Sequence, residues 1–405
     1  MKHRFLVSVL LPLCVQAARA QTPNTGALAD TTINTAAPVA YVYVSRLSHI
    51  NGYAAWANGK LTPVPGSPFA NTNVAKMSVT KSFLFGADAY HKLITSYSIH
   101  SNGSLSKVSS INPALYRPSG CLEQDDVGTQ VDFTGITLYY LACTYGFNTS
   151  EYSSFHITSS GSLQFLGNSG GIISAATQGT PEVLTKMGGN PFAFDSYCDE
   201  EEDQGVIQIY KRQSNGNLIF YGEDRHMPEP APGTAFCAGM SAADATNHLA
   251  VAIQRIDSQP HDAGYIYGPY FIASYTADLN GNLTTTSTYA NMPHPTVAST
   301  RDVSAISISP DGKYVAVGAS GFQVLHFNGS NPPTNFSAAF LTGQTIRKFG
   351  WDRASHLYVL AEIYSNGVFN DYLHVYTVTS SGVKEASGSP YYIEHGGNVI
   401  VRTLQ

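Results

Sequence analysis

A short phrase returns down almost the whole chain: an aromatic strand, a polar turn, Gly-x-Leu, then a polar strand. It first reads Tyr41-Val-Tyr-Val-Ser45, Ile50-Asn-Gly-Tyr53 and Gly59-Lys-Leu-Thr62. The glycine recurs at Gly103, Gly161, Gly216 and Gly281, roughly 45 to 65 residues apart, with a weaker echo in Gly382-Val-Lys384. A unit of this length cannot bury its apolar face alone, so such repeats stack, as propeller blades do, instead of forming one closed core. The length prior would allow two or three domains in 405 residues, but radial repetition absorbs them into one.

Laid out strand by strand, the phrase predicts an all-β fold of seven four-stranded antiparallel blades. Second strands are expected at Tyr41–Ser45, Phe83–Ala87, Leu138–Ala142, Phe192–Ser196, Leu249–Ile253, Tyr314–Gly318 and Leu357–Ala361. Inner strands are expected at Ala75–Val79, Gln130–Phe133, Glu182–Lys186, Ala235–Met240, Ser304–Ser309 and Thr345–Gly350. The first unit lacks one, and an unassigned apolar segment, Asn398–Leu404, remains at the end. The C-terminal strand is therefore expected to complete the first blade and close the ring, leaving no open sheet edge.

Composition agrees with many short strands. Charged residues make up 12%, against 25 Tyr, 19 Phe and 36 Gly. A net charge of −6 with scattered Lys and Arg offers no basic field, which argues against a nucleic-acid partner. Lys2 and Arg4, the apolar run Phe5–Val15 and Ala18-Arg-Ala20 read as a secretory signal peptide over residues 1–20, too short to span a membrane. A disordered leader over 21–38 and a propeller domain over 39–405 follow. The product is expected to be secreted or periplasmic, and a monomer. Beyond the signal remain Cys121, Cys143, Cys198 and Cys237, an even number in an oxidising compartment. Their order along the blades favours Cys121–Cys143 and Cys198–Cys237 as disulfides, with buried free thiols as the alternative. No Cys or His spacing makes a metal site, and neither a metal nor a cofactor is expected.

With its blade phrase, its Ser309-Pro-Asp-Gly-Lys-Tyr314 turn and its Leu61-Thr-Pro-Val-Pro-Gly-Ser-Pro-Phe69 segment, the chain resembles the lactonase-type seven-bladed propellers. That group includes bacterial 6-phosphogluconolactonase and the carboxymuconate-lactonising enzymes, and the likeness covers about residues 40–405, most of all to exported bacterial members. Its enzymes carry Gly-Pro-Arg-His phrases leading into inner strands. The corresponding segments here include Tyr116-Arg-Pro-Ser-Gly120, Pro232-Gly-Thr-Ala235 and Thr300-Arg-Asp-Val303, none with the Arg-His pair. Arg301 with Asp302 is the nearest match, and Arg117 with Pro118 a permuted one.

Lactone hydrolysis needs a base to take a proton from water and a cation or donor to hold the oxyanion. The set expected to supply these at the mouth is Arg117, His226, His294, Arg301 and Glu394, all in loops approaching inner strands. The acidic run Asp199–Asp203 reads as a solvated loop, since it lacks the spaced ligands of a calcium loop. Gly167-Asn-Ser-Gly-Gly171 satisfies the Gly-x-Ser-x-Gly pattern but lacks the strand-to-helix setting of a nucleophile. Two functions follow: an exported hydrolase of a sugar- or aromatic-derived lactone, or a non-catalytic propeller binding a glycan, peptide or envelope partner. The loop tyrosines Tyr145, Tyr197, Tyr265, Tyr267, Tyr270 and Tyr364 suit the second.

Overall fold

The computed structural model describes residues 37–46, 48–70, 74–88, 93–116, 128–145, 149–170, 182–183, 191–199, 204–257, 266–298, 303–365 and 367–404. The expected signal peptide and leader up to residue 36 lie outside them. The described chain is almost entirely antiparallel strand. The first blade is ordered Gly396–Thr403, Ala40–Arg46, His49–Ala55, Leu61–Pro63, with Phe69–Ala70 also on its third strand. Four further blades follow the chain order inner to outer: Val74–Val79 to Leu105–Ile111, Thr129–Val131 to Leu163–Asn168, Glu182–Val183 to Leu218–Asp224, and Thr234–Ala243 to Leu283–Thr284. The C-terminal strand runs antiparallel to Ala40–Arg46, with Ala40 opposite Thr403 and Val44 opposite Val399.

The count of seven separate blades needs correction. Five blades are discrete, and the strands expected of the last two lie in one eight-stranded sheet from Ala305 to Ile393. The cause is local: Tyr314–Asn328 is a single 15-residue strand, with no polar loop between its two halves. It bends at Gly321, φ +107°, and there Ser320 and Phe322 pair with Thr345 and Phe340 of the next long strand.

Apolar cores sit between neighbouring sheets. Ala40–Ser45 is buried on both faces, because Tyr41 and Tyr43 pack with Met77 and Leu84 of the second blade while Val42 and Val44 pack with Leu360 and Leu373 of the eight-stranded sheet. Phe85 with Leu138, Tyr139 with Tyr210, and Phe194 with Leu249 repeat the arrangement around the fold. Strands buried on both faces read as apolar runs without alternation, which is why the second strands were the most legible.

Three recurring devices hold these sheets. The turn after an inner strand is capped by its first side chain: Asp132, Asp244 and Asp352 each accept two backbone N–H groups further along the turn, and Thr80 and Ser309 do so through a hydroxyl. At the opposite end, Ser67, Ser169, Ser287, Ser337 and Ser389 accept the N–H of Gly52, Tyr152, Ser274, Val324 and Val375, tying the chain beyond the outer edge to the third strand. The third device is the repeated glycine. Its positive φ, +82° at Gly103 and +86° at Gly281, makes the turn, and its missing Cβ admits the neighbouring blade's ring.

Candidate functional site

Of the residues expected at the mouth, Arg117 and Arg301 lie outside the described residues, as does Asp302. His226 is almost fully exposed and pairs through Nδ1 with Asp224, 2.9 Å away, on its own strand end. His294 is held at 2.9 Å from the Tyr270 carbonyl, with its ring against Phe271. Glu394 accepts from the Arg46 guanidinium, which also donates through Nε to the Glu394 carbonyl at 2.7 Å. Each is held by a partner outside the set, and no hydrogen bond or ion pair joins His226, His294 and Glu394 to one another.

Glu394 nevertheless belongs to a denser group, at the seam where the C-terminal strand meets the first blade. Arg347, Glu362 and Asp371 come from three successive strands of the eight-stranded sheet, and the register sets Glu362 directly opposite Asp371. Arg347 pairs with Glu362. The Gly396 N–H donates to Asp371, and His395, between Glu394 and Gly396, takes a positive φ of 50°. From the first blade, Arg46 donates to His49 Nε2 at 2.7 Å. Because arginine can only donate, His49 must accept there and carry its proton on Nδ1, facing the Ser48 hydroxyl at 3.0 Å.

The electrostatics of this group are uneven. Asp371 is buried, 2% exposed, and its Oδ1 has no protein hydrogen-bond partner. Burial, reinforced by the Glu362 carboxylate across the strands, pushes its pKa up to about 6, against the opposing pull of the Gly396 N–H, Arg347 and His395. Burial, then the Arg46 charge, lowers the His49 pKa and keeps the ring neutral near pH 7. The same seam holds other buried polar atoms without protein partners, Ser45 Oγ opposite Asn398 Oδ1 among them. A carboxylate that takes up a proton near neutrality, a neutral imidazole and two guanidinium groups are the parts of a hydrolytic or polar-ligand site.

The sequence signals for Asp371 and Arg347 were weak. Asp371 is the fourth residue of the strand Val368–Thr379, in Phe369-Asn-Asp-Tyr-Leu373, where a lone acid reads as strand-end polarity, and Arg347 sits mid-strand in Thr345-Ile-Arg-Lys-Phe349. Pairing across strands brings them together. Ser169 of the Gly-x-Ser-x-Gly pattern is buried, and its hydroxyl oxygen accepts the Tyr152 N–H; it follows the strand Leu163–Asn168 and serves as a latch. The acidic run beyond Asp199 falls outside the described residues. Among those described, no group of three or more His, Cys, Asp and Glu has metal-binding geometry. Cys198 and Cys237 form a disulfide between the fourth and fifth blades, as their positions suggested; Cys121 lies outside the described residues.

No protein-family model matches the chain, and no curated protein does. Solved structures do. A protein from Lactobacillus plantarum superposes with a TM-score of 0.58 over 90% of this chain and 99% of its own, at 14% identity. A protein from Bacteroides uniformis, named as a candidate 6-phosphogluconolactonase, gives 0.52 over 89% and 99%, at 13% identity. The chain is a β-propeller. At these identities the likeness is one of fold, and the chemistry of this propeller has to come from its own residues.

Proposed function

We propose that this is an exported lactonase-like propeller that hydrolyses a sugar- or aromatic-derived lactone at the closure seam. In this reading the eight-stranded sheet counts as two blade units, giving seven, a count supported by the cycle of contacts in which Phe340–Trp351 lies against Gly396–Thr403 and Gly396–Thr403 against Val74–Val79. The observation that carries the function is Asp371: a buried carboxylate, poised near pH 6, with one oxygen unspoken for. Asp371 takes a proton from water as the water oxygen bonds to the lactone carbonyl carbon. Arg347 or Arg46 steadies the oxyanion. The ring C–O bond then breaks, and the proton passes to the departing alkoxide to give the open hydroxy acid.

Glu394 holds Arg46 in place, while Arg117, His226, His294 and Arg301 stand as further contributors from the mouth loops. The test is a panel of sugar and aromatic lactones with wild type, Asp371→Asn, Arg301→Ala and His294→Ala. Loss of about 100-fold in kcat for Asp371→Asn is expected from removal of a general base. Equal turnover in Asp371→Asn would remove Asp371 from the reaction, and no turnover of any lactone would favour binding.

One observation supports that second reading. Tyr364, Val368 and Phe369 stand exposed on the hairpin beside the seam, with Tyr364 and Phe369 rings 4.7 Å apart, and Tyr392 is exposed nearby against Tyr372. Such an aromatic rim suits a glycan or protein partner.

A further inference from the structure

The hairpin that carries Asp371 runs past the end of the first blade. Leu360 pairs with Leu373, and both are buried with Val42 and Val44 of that blade. When the second strands Tyr41–Ser45 and Leu357–Ala361 are aligned, Glu362 answers to Arg46, where the first blade's strand ends. In the eight-stranded sheet the strand continues to Ser365, three residues further, or about 10 Å at the usual rise.

Alternation decides what this overhang presents. Side chains two apart in a strand share a face, so the opposed pairs Leu360 with Leu373, Glu362 with Asp371, and Tyr364 with Phe369 lie in one row. The row passes from the core, through the two acids, to a pair of aromatic rings 4.7 Å apart, with Tyr364 65% and Phe369 51% exposed. One step of two residues, about 7 Å, separates the acids from the rings. Arg347 joins the row from the neighbouring strand. It is the extra residue of a bulge between Ile346 and Lys348, and its half-exposed guanidinium pairs with Glu362.

A ligand that matches this row has a flat apolar body at one end and a carbonyl or carboxylate at the other, a fused bicyclic lactone's span apart. The polar residues of the hairpin do not serve the aromatic end. Ser365 and Asn370 alternate to the opposite face, where Asn370 bonds to Tyr392 and to the Val368 carbonyl. Among the described residues of the hairpin, the side-chain polar atom left on the row beyond Glu362 is the Tyr364 hydroxyl. A sugar seated on the two rings would find one side-chain partner for its several hydroxyls, whereas an aryl ring needs none and gains from both faces. Between a sugar-derived and an aromatic-derived lactone, the row favours the aromatic one.

We propose that Tyr364 and Phe369 form the aryl subsite of the seam, so that the lactone opened there carries a fused aromatic ring; this rests on the reading of the seam as a hydrolase. The probe is dihydrocoumarin, with δ-valerolactone, the same six-membered lactone without the aryl ring, as its comparison. In its hydrolysis the water oxygen bonds to the carbonyl carbon, the acyl C–O bond breaks and the phenolate oxygen takes the proton, giving 3-(2-hydroxyphenyl)propanoic acid. Tyr364→Ala and Phe369→Ala should each lower the preference for dihydrocoumarin over δ-valerolactone about 3- to 10-fold, as loss of one aromatic contact would. The change should lie in KM, with Phe369→Tyr close to wild type. Both side chains are exposed, so the substitutions spare the core. Calorimetry on full-length Asp371→Asn, which leaves the lactone unopened, should show saturable binding of dihydrocoumarin, weakened by a similar factor when Phe369→Ala is added. Turnover with an unaltered preference in both alanine variants would overturn the subsite and leave the hydrolase reading standing. No turnover of either lactone, with dihydrocoumarin binding that depends on Phe369, would overturn the hydrolase reading and keep the aryl subsite. No binding of dihydrocoumarin, or binding of cellobiose in its place that Phe369→Ala abolishes, would overturn the proposal.

Discussion

Tyr41 of the first blade closes over Gly103 of the second: the tyrosine ring occupies the space a Cβ on the glycine would need, 2.5 Å from its Cδ1. Tyr43 adds a hydrogen bond to the Gly103 carbonyl at 2.8 Å. The glycine in the repeated phrase thus joins one blade to the next as well as turning the chain. Phe83 over Gly161 and Phe192 over Gly281 repeat the relationship.

This predicts a difference between two alanine substitutions. Gly161→Ala forces a methyl into the Phe83 ring and also strains a backbone at φ +88°. Gly135→Ala, at φ +74°, meets only the strain, since nothing lies within 4 Å. Strain alone should cost about 1–2 kcal/mol, and overpacking should add about 1–3 kcal/mol at Gly161. Urea unfolding of the two variants measures the gap; equal midpoints would mean that Phe83 does not rest on the glycine.

Closure by the C-terminal strand predicts cooperative failure when it is removed. Residues 397–405 supply most of the partner strand of Ala40–Arg46, and Val399 lies in the core with Val42 and Val44. Their deletion exposes a sheet edge and opens that core at once. A truncated protein should melt well below the full chain in a single transition, or fail to fold; an unchanged Tm would separate the strand from the stability of the fold.

Second strands and turn glycines were legible in the sequence because they carry local signals: apolar runs buried on both faces, and positive φ that glycine meets at no cost. The merging of the last strands into one sheet was not. Tyr314–Gly318 and Phe322–Phe327 each read as a strand, and nothing in Ala319-Ser-Gly321 distinguishes a blade's hairpin turn from a continuous bend. Whether Ser320 pairs with Thr345 depends on a segment 25 residues away. The seam was half legible for a related reason. Glu394 stood out as a loop acid, whereas Asp371 gains its character only from Glu362 across the strand pair and from Gly396 on the returning segment. Ser169 shows the reverse error, a motif satisfied by a residue whose hydroxyl is already spent on Tyr152.

The Cys198–Cys237 bridge ties the second strand of the fourth blade to the first strand of the fifth across 39 residues. Closing a loop of that length restricts the unfolded chain by an amount worth about 4 kcal/mol in the chain-entropy model. Cys198→Ser with Cys237→Ser should lower unfolding stability by about 2–4 kcal/mol. Intact mass under native and reducing conditions reports whether the bond is present; a double variant as stable as wild type would leave the bridge without a stabilising role.

Asp371 predicts opposite pH dependences for stability and activity. Its pKa is raised from 3.8 to about 6 in the folded protein. The folded state therefore binds the proton more tightly than the unfolded chain, and the favourable contribution of this group is full below pH 3.8 and lost as pH rises through about 6. A rise of that size corresponds to roughly 3 kcal/mol. Asp371→Asn cannot ionise, so relative to wild type it should gain stability between about pH 4 and 7 and hold a constant difference above that window. Hydrolysis should follow the opposite course, because the base works only when deprotonated: kcat/KM of wild type should climb with pH to a plateau above about 6, a limb missing from any residual activity of Asp371→Asn. Thermal melts and rate profiles over pH 4 to 8 read both curves. A stability difference that does not vary with pH would show that Asp371 keeps an ordinary carboxylate pKa, and the seam would lose its base.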